Sequence, residues 1–307
     1  MVINSAPYAS FEERKNWVAE MAARIPRDVR VPYPLLAEVP LLEKEVLCLQ
    51  GLALAFIAHS LSLPATMSNT EILERLNAGQ FTPDRDAHHL LIPLERQISQ
   101  MLRAMGFHES SLGLEYPANV RVVHGKSIEA YDKTSYPTTT VHSDVWAGEP
   151  ADTVQIIVPL MGNVQSNICR WYEVDIERFE LYLCNSSDYR STLAGLEEVR
   201  PIPHTFEIGK LYFFDSALPH QTIQTGGGVR LSLDFRLRRL FPYSDRAWIP
   251  RMQRTRGAYD RYYLFPSDPY PYASFEQKLD HEIGILDNLG FAEFAHLRRN
   301  EYPAKSV

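Results

Sequence analysis

The sequence predicts a mainly β protein with flanking helices, an α+β arrangement whose strands close into a barrel or a double sheet. Three observations lead there. Between residues 115 and 240 the chain carries many short strand-like runs separated by turn signals. These runs do not alternate with helical segments, so a parallel sheet built from βαβ units is excluded. The preceding hundred residues place apolar side chains at helical spacing instead. With no linker or low-complexity stretch, the 307 residues read as a single domain. Residues 1–114 form helical support, 115–240 the β core, and 241–307 a helical and aromatic extension.

Each element has a local cause. Ser10-Phe-Glu-Glu13 is a capping box that opens a helix running to about Arg24. Pro26, Pro32, Pro34 and Pro40 then read as a rigid connector. Val46–Leu63 is apolar and close to membrane-spanning length. It contains Gln50, His59, Ser60 and Ser62, follows Glu43-Lys44-Glu45 and stops at Pro64, so a buried helix is expected and no membrane partner. Ser68-Asn-Thr-Glu71 is a second capping box, with Gly79 as the stop. Leu90, Leu91, Leu94, Ile98, Met101 and Leu102 recur at helical spacing between Asp84 and Met105. Strands are expected at 119–124, at the β-branched run 138–141, at 152–160 and at 211–214. Residues 221–237 read as a hairpin turned by Gly226-Gly227-Gly228. A further helix is expected from Ser274.

Composition narrows the function classes. Apolar residues make up 45% and charged residues 22%, which excludes disordered and fibrous classes. Lys and Arg number 31 against 38 Asp and Glu, a net charge of −7, so nucleic acid is not the expected partner. Cys48, Cys169 and Cys184 are odd in number and widely spaced, which argues for a reducing, cytoplasmic setting and against a thiolate zinc site. The N-terminal residues lack the apolar run of a signal peptide.

The chemistry concentrates in one ordered set: His142-Ser143-Asp144, then His220, then Arg230 and Ser232. Two neutral imidazoles and one carboxylate suit Fe(II) and leave coordination positions open. If residues 142–144 end a strand, His142 and Asp144 point the same way, and His220 must arrive from another strand. An arginine one hairpin away can form a bidentate pair with a distant carboxylate.

This order resembles the Fe(II)- and 2-oxoglutarate-dependent dioxygenase superfamily, whose motif is HxD, a distal His, and an Arg about ten residues on within RxS. The stretches His142-Ser-Asp-Val-Trp-Ala-Gly-Glu-Pro150 and Val154-Gln-Ile-Ile-Val-Pro-Leu160 resemble, more narrowly, phytanoyl-CoA hydroxylase-like oxygenases of natural-product biosynthesis. The resemblance implies a double-stranded β-helix, the jelly roll of cupin-like proteins, over residues 115–240. It implies Fe(II) on His142, Asp144 and His220, and 2-oxoglutarate as cosubstrate held by Arg230 with Ser232. It also implies O2 as oxidant, with succinate and CO2 released. Hydroxylation, desaturation, cyclisation and epimerisation are all outcomes of such a centre. Asp144 argues against halogenation, since related halogenases carry Ala or Gly at that position. A cupin-like isomerase or a non-catalytic small-molecule-binding barrel is the alternative.

For the small-molecule substrate, Arg121, Trp146 and Gln155 flank the ligands on neighbouring strands and are expected to face it. Asp215, five residues before His220, reads either as a group orienting that histidine or as a turn residue. Residues 230–261 hold nine arginines against three aspartates, which reads as a substrate clamp, a solvated face or a homodimer contact.

Overall fold

The structure is a computed structural model of the chain. It describes residues 10–239, apart from 65, 80, 82–89, 116–117, 126–136, 150, 185, 187, 195 and 197–198, together with 262–264. The expected helix from Ser274 and most of the arginine-rich extension lie outside the described residues.

Helices dominate the first part. Helix α1 spans Phe11–Arg24, and its capping box is formed: Ser10 Oγ accepts from the Glu13 amide while the Glu13 carboxylate accepts from the Ser10 amide. Strands β1 (Arg30–Tyr33) and β2 (Leu36–Pro40) follow, then α2 (Glu43–Ser60), α3 (Asn69–Ala78) and α4 (Leu91–Ala104). The Ser68–Glu71 box opens α3, and Gly79 ends it. No described helix is long and apolar enough to cross a membrane. Gln50, the polar residue within apolar α2, reaches the sheet and donates to the Leu160 carbonyl at 2.5 Å.

The β part comprises β3 (Ser111–Glu115), β4 (Asn119–His124), β5 (Thr153–Gly162), β6 (Asn167–Trp171), the short helix α5 (Tyr189–Leu193), β7 (Lys210–Asp215), β8 (His220–Gln224), β9 (Val229–Arg239) and β10 (Tyr262–Leu264). The large sheet runs β1-β2-β7-β5-β9-β3-β10, with β4 also pairing β9. Opposite it, β6 pairs β8. Two isolated bridges extend this small sheet on either side, His142 with His220 and Tyr172 with Pro201. The order on that face is therefore the 142 segment, β8, β6, the 201 segment. Along the chain, β4, 142, β5, β6, 201, β7, β8 and β9 wind between the two sheets. That winding is a double-stranded β-helix.

Alternation along the strands explains the layering. Leu231, Leu233, Phe235 and Leu237 of β9 and Val154, Ile156, Val158 and Leu160 of β5 pack with α2 and α4 in one core. On the opposite face, Tyr212 and Phe214 of β7 and Ile157 of β5 join a second core against Trp171 and Val174. The same pleat turns Arg230, Ser232, Asp234, Arg236 and Arg238 into the space between the sheets. A bulge after Pro159 bends β5 and delivers Gly162 at φ +85°. A Cβ at Gly162 would stand 2.2 Å from the Val229 carbonyl oxygen, so the close approach of β5 to β9 requires glycine.

Three sequence expectations are corrected. The proline-rich connector is a hairpin, and β2 pairs with β7, one strand in from the β1 edge of the sheet. Pro40 sits in its last position, where a missing N–H is tolerated. Residues 138–140 form a turn rather than a strand. The segment 221–237 is not a hairpin: β8 and β9 are consecutive but belong to different sheets, so the glycine run carries the chain across the barrel. The start expected for the next helix, at Asp84, lies outside the described residues, which take the helix up from Leu91. One of the alternatives for the arginine-rich segment, a solvated face, does not hold for Arg238 and Arg239. Arg238 pairs with Asp152 at 2.6 Å, and Arg239 with Asp215 at 2.7 Å, both within the interior.

Candidate metal centre and cavity

The His142–His220 bridge builds the centre. The two residues exchange both backbone hydrogen bonds, at 2.9 and 2.8 Å, so they stand directly opposite each other in an antiparallel pair. Opposed residues project to the same face, and the ring centroids lie 4.4 Å apart. Asp144 does not follow from strand alternation. It is the first residue of a single 3₁₀ turn over Asp144–Ala147, closed by Gly148 at φ +95° and anchored by its own amide on the Ser216 carbonyl. The turn swings the carboxylate back under the two rings. Its Oδ1 lies 3.7 Å from His142 Nε2 and 3.6 Å from His220 Nε2.

The protonation pattern is settled by partners. His142 Nδ1 stands 2.7 Å from the Thr140 carbonyl and His220 Nδ1 stands 3.0 Å from the Leu218 carbonyl. A carbonyl only accepts, so both Nδ1 atoms carry the hydrogen and both Nε2 atoms present lone pairs toward Asp144. Metal-binding histidines are oriented in this way. Burial pushes the His142 imidazole down to about 3, with the nearby His220 adding to the effect, and burial lowers His220 as well. Burial works against ionisation of Asp144, but the Arg236 guanidinium overrides it and keeps the carboxylate charged. Two neutral nitrogen donors and one anionic oxygen donor therefore meet within 4.8 Å of one another. Tyr189 stacks on His142 at 4.3 Å, and Phe214 meets His220 edge-on at 5.0 Å.

A cavity of about 450 Å³ opens from this centre between the sheets. Arg121 and Gln155 line it. Both act on Asp234, which accepts from Arg121 Nη1 at 2.6 Å and from Gln155 Nε2 at 3.3 Å. With its nitrogen turned to a carboxylate, Gln155 leaves Oε1 buried and without a hydrogen-bond partner among the described residues. Trp146 is corrected: it is fully buried, stacks on Tyr182, donates to the Leu181 carbonyl and does not line the cavity. Two residues after Asp144, the 3₁₀ turn has already rotated its side chain into the core.

Arg230 lies in the cavity wall, 1% exposed. Its Nη1 donates to the Asn167 carbonyl at 2.7 Å, and its guanidinium rests 5.1 Å from the Phe206 ring. Its Nε has no partner, and no carboxylate pairs with it among the described residues. Burial, reinforced by Arg121, pulls its pKa down to about 10, which still leaves it cationic at neutral pH. Ser232 Oγ, two residues along the same face, is likewise buried without a partner. An uncompensated buried cation is costly unless an anion completes it. The orphaned Arg230 and Ser232 donors fit the far carboxylate of a keto acid such as 2-oxoglutarate, and the His–Asp–His cluster fits a divalent iron.

The sequence reading did not single out Asp234 or Tyr189, and it counted Arg236 among the arginines of residues 230–261. Alternation along β9 is the signal for the two β9 residues, since Asp234 and Arg236 share the parity of Arg230 and line the same cavity. Tyr189 comes from a distant short helix and carries no sequence signal. Asp215 proves to be the last residue of β7, at the start of the turn that leads to His220. Its carboxylate accepts from the Ala217 amide and pairs with Arg14 of α1, which fixes the turn before His220 without touching the ring.

No protein-family model matches the chain, and no curated protein matches it. Solved structures similar to it include α-ketoglutarate-dependent enzymes of natural-product biosynthesis. The epimerase SnoN of nogalamycin biosynthesis, in complex with Fe3+, α-ketoglutarate and nogalamycin RO, is 15% identical with a TM-score of 0.38, over 73% of this chain and 84% of that one. The carbocyclase SnoK of the same biosynthesis is 12% identical with a TM-score of 0.38, over 76% and 88%. EctD from S. alaskensis, with 2-oxoglutarate and 5-hydroxyectoine, is 14% identical with a TM-score of 0.39, over 77% and 78%. Such identities and superposition scores leave the chemistry to the side chains themselves.

Proposed function

We propose that the chain is an Fe(II)- and 2-oxoglutarate-dependent dioxygenase that oxidises an unactivated C–H bond of a small polar metabolite, an amino acid or a related natural-product precursor. The observation that carries this reading is the joint placement, on one cavity, of a buried His–Asp–His cluster and a buried guanidinium lacking a counter-ion. A cupin-like isomerase or a plain binding barrel would need the cluster or the cavity, but not the orphaned Arg230 and Ser232.

Bound iron supplies the oxygen chemistry, coupling decarboxylation of the keto acid to succinate and CO2 with oxidation of the substrate. The chain's own residues do the rest. His142 and His220 would hold the metal through Nε2 and Asp144 through Oδ1, a donor set that leaves coordination positions open. Arg230 and Ser232 anchor the far carboxylate of the cosubstrate. Arg121 and Gln155, braced on Asp234, present polar groups to the substrate. The surrounding apolar wall, with Phe81, Val120 and Ile157, limits water near the reacting carbon. The position of that carbon decides between hydroxylation, desaturation, cyclisation and epimerisation.

Arg230→Ala is expected to raise the cosubstrate requirement by about 10- to 100-fold, the worth of one or two charge-assisted hydrogen bonds. Iron affinity should stay within about 3-fold of wild type, because Arg230 makes no contact with the ligands. The readout is the visible charge-transfer band that forms when 2-oxoglutarate joins Fe(II)-loaded protein without oxygen. An unchanged cosubstrate titration would remove Arg230 from the site, and a wild-type protein that never develops the band would remove the reading.

A further inference from the structure

The two oxygens of Asp144 have different neighbours. Oδ1 faces both imidazole Nε2 atoms, while Oδ2 accepts from Arg236 Nε at 3.3 Å and Nη2 at 2.9 Å. The remaining guanidinium nitrogen, Nη1, donates to both Glu115 oxygens at 3.2 and 3.3 Å and lies 3.9 Å from Glu149 Oε1. Three carboxylates thus converge on one cation whose side chain is 13% exposed. Arg230 and Arg236 share a face of β9, yet the first has no carboxylate partner and the second has three.

A carboxylate tied through one oxygen has a single oxygen to give to a metal, whereas a released one can offer both. A centre that must accept a bidentate keto acid and oxygen needs those positions left open. We infer that Arg236 is a positioning residue: it restricts Asp144 to one donor oxygen and so preserves the coordination positions the cosubstrate needs. This role rests on the proposed function, and it assigns Arg236 work quite different from cosubstrate binding.

The test uses Arg236→Met, which keeps the apolar stem, and Arg236→Lys, which keeps the charge but loses the fork. Purified metal-free protein is titrated with Co(II), a redox-stable stand-in for Fe(II), by calorimetry. The charge-transfer band is then titrated with 2-oxoglutarate on Fe(II)-loaded protein under anaerobic conditions. Arg236→Met should bind Co(II) as tightly as wild type or up to about 10-fold more tightly, since a positive charge leaves the cation's surroundings. The same variant should need about 10-fold or more additional 2-oxoglutarate, because Asp144, free to offer both oxygens, takes a position the cosubstrate needs. Arg236→Lys should show the same split at about 3-fold, and it decides alone if the Met variant does not fold.

A merely structural role would weaken both titrations together. Loss of Co(II) binding comparable to that of His220→Ala, or wild-type behaviour in both titrations, would overturn the assignment. Failure of the wild-type protein to bind Co(II) would instead strike the metal centre itself, and the role of Arg236 with it.

Discussion

His220→Ala is expected to abolish metal uptake and succinate formation while leaving the fold intact. The reason lies in how the residue is used. Its backbone forms the bridge to His142 and the register of β8 with β6, and those bonds survive truncation. Only the ring is lost, and with it one of two nitrogen donors. Even the carbonyl that orients a ligating histidine is worth about 10- to 100-fold in affinity, so removal of the ligand itself should cost at least about 1000-fold. His142→Ala should behave alike, with an added loss of the Tyr189 stack. Calorimetry with Co(II), succinate assays and a thermal melt give the three readouts. A folded His220→Ala protein that still binds metal or releases succinate would refute the assignment of the centre. Asp144→Ala should lose affinity too, but it opens a position for an exogenous anion, so partial rescue by formate or chloride distinguishes it from the histidine variants.

The sequence made some of this legible and hid the rest for identifiable reasons. Capping boxes are local, so Ser10–Glu13 and Ser68–Glu71 are read directly. Binary alternation is also local, and β9 with its odd leucines and even polar residues announces a strand with two differently buried faces. The order of His142, Asp144, His220 and Arg230 is legible because few chemistries use it. Their convergence, however, comes from a long-range bridge and a 3₁₀ turn, not from the period-two strand that their spacing suggests. Sheet membership is equally invisible locally: a glycine run turns a hairpin or crosses a barrel with the same residues, and only the partners of β8 and β9 decide. The prolines before Pro40 looked like a connector because proline depletes strands on average, whereas β2 tolerates it at the strand's last position. Arg238 and Arg239 looked exposed because isolated arginines usually are. Asp152 and Asp215, distant in sequence, neutralise them in the interior.

Glu95→Gln is expected to reverse a stability loss that grows with pH. Glu95 lies on the buried face of α4 among Leu91, Leu94 and Ile98, 2% exposed. One oxygen accepts from the Ala118 amide at 2.9 Å, and the other has no partner among the described residues. Burial pushes its pKa up to about 9, against 4.5 for the ordinary carboxyl, and the single amide bond only partly opposes this. The folded protein therefore keeps the carboxyl protonated through neutral pH, while the unfolded chain ionises it. Between pH 4.5 and 9 the unfolded state binds fewer protons, so stability falls as pH rises, by about 1.4 kcal/mol per pH unit. The accumulated cost is about 3 kcal/mol at pH 7 and about 6 kcal/mol at pH 9. Glutamine keeps the acceptor for Ala118 and cannot ionise. Urea melts at pH 5.5 and pH 8 should show the difference between variant and wild type widening by about 3 kcal/mol in favour of glutamine. Other titrating groups cancel in that difference, since both proteins share them. Parallel pH profiles would mean that Glu95 is ionised in the folded protein, and that the interface between α4 and the sheet admits a partner or water beside it.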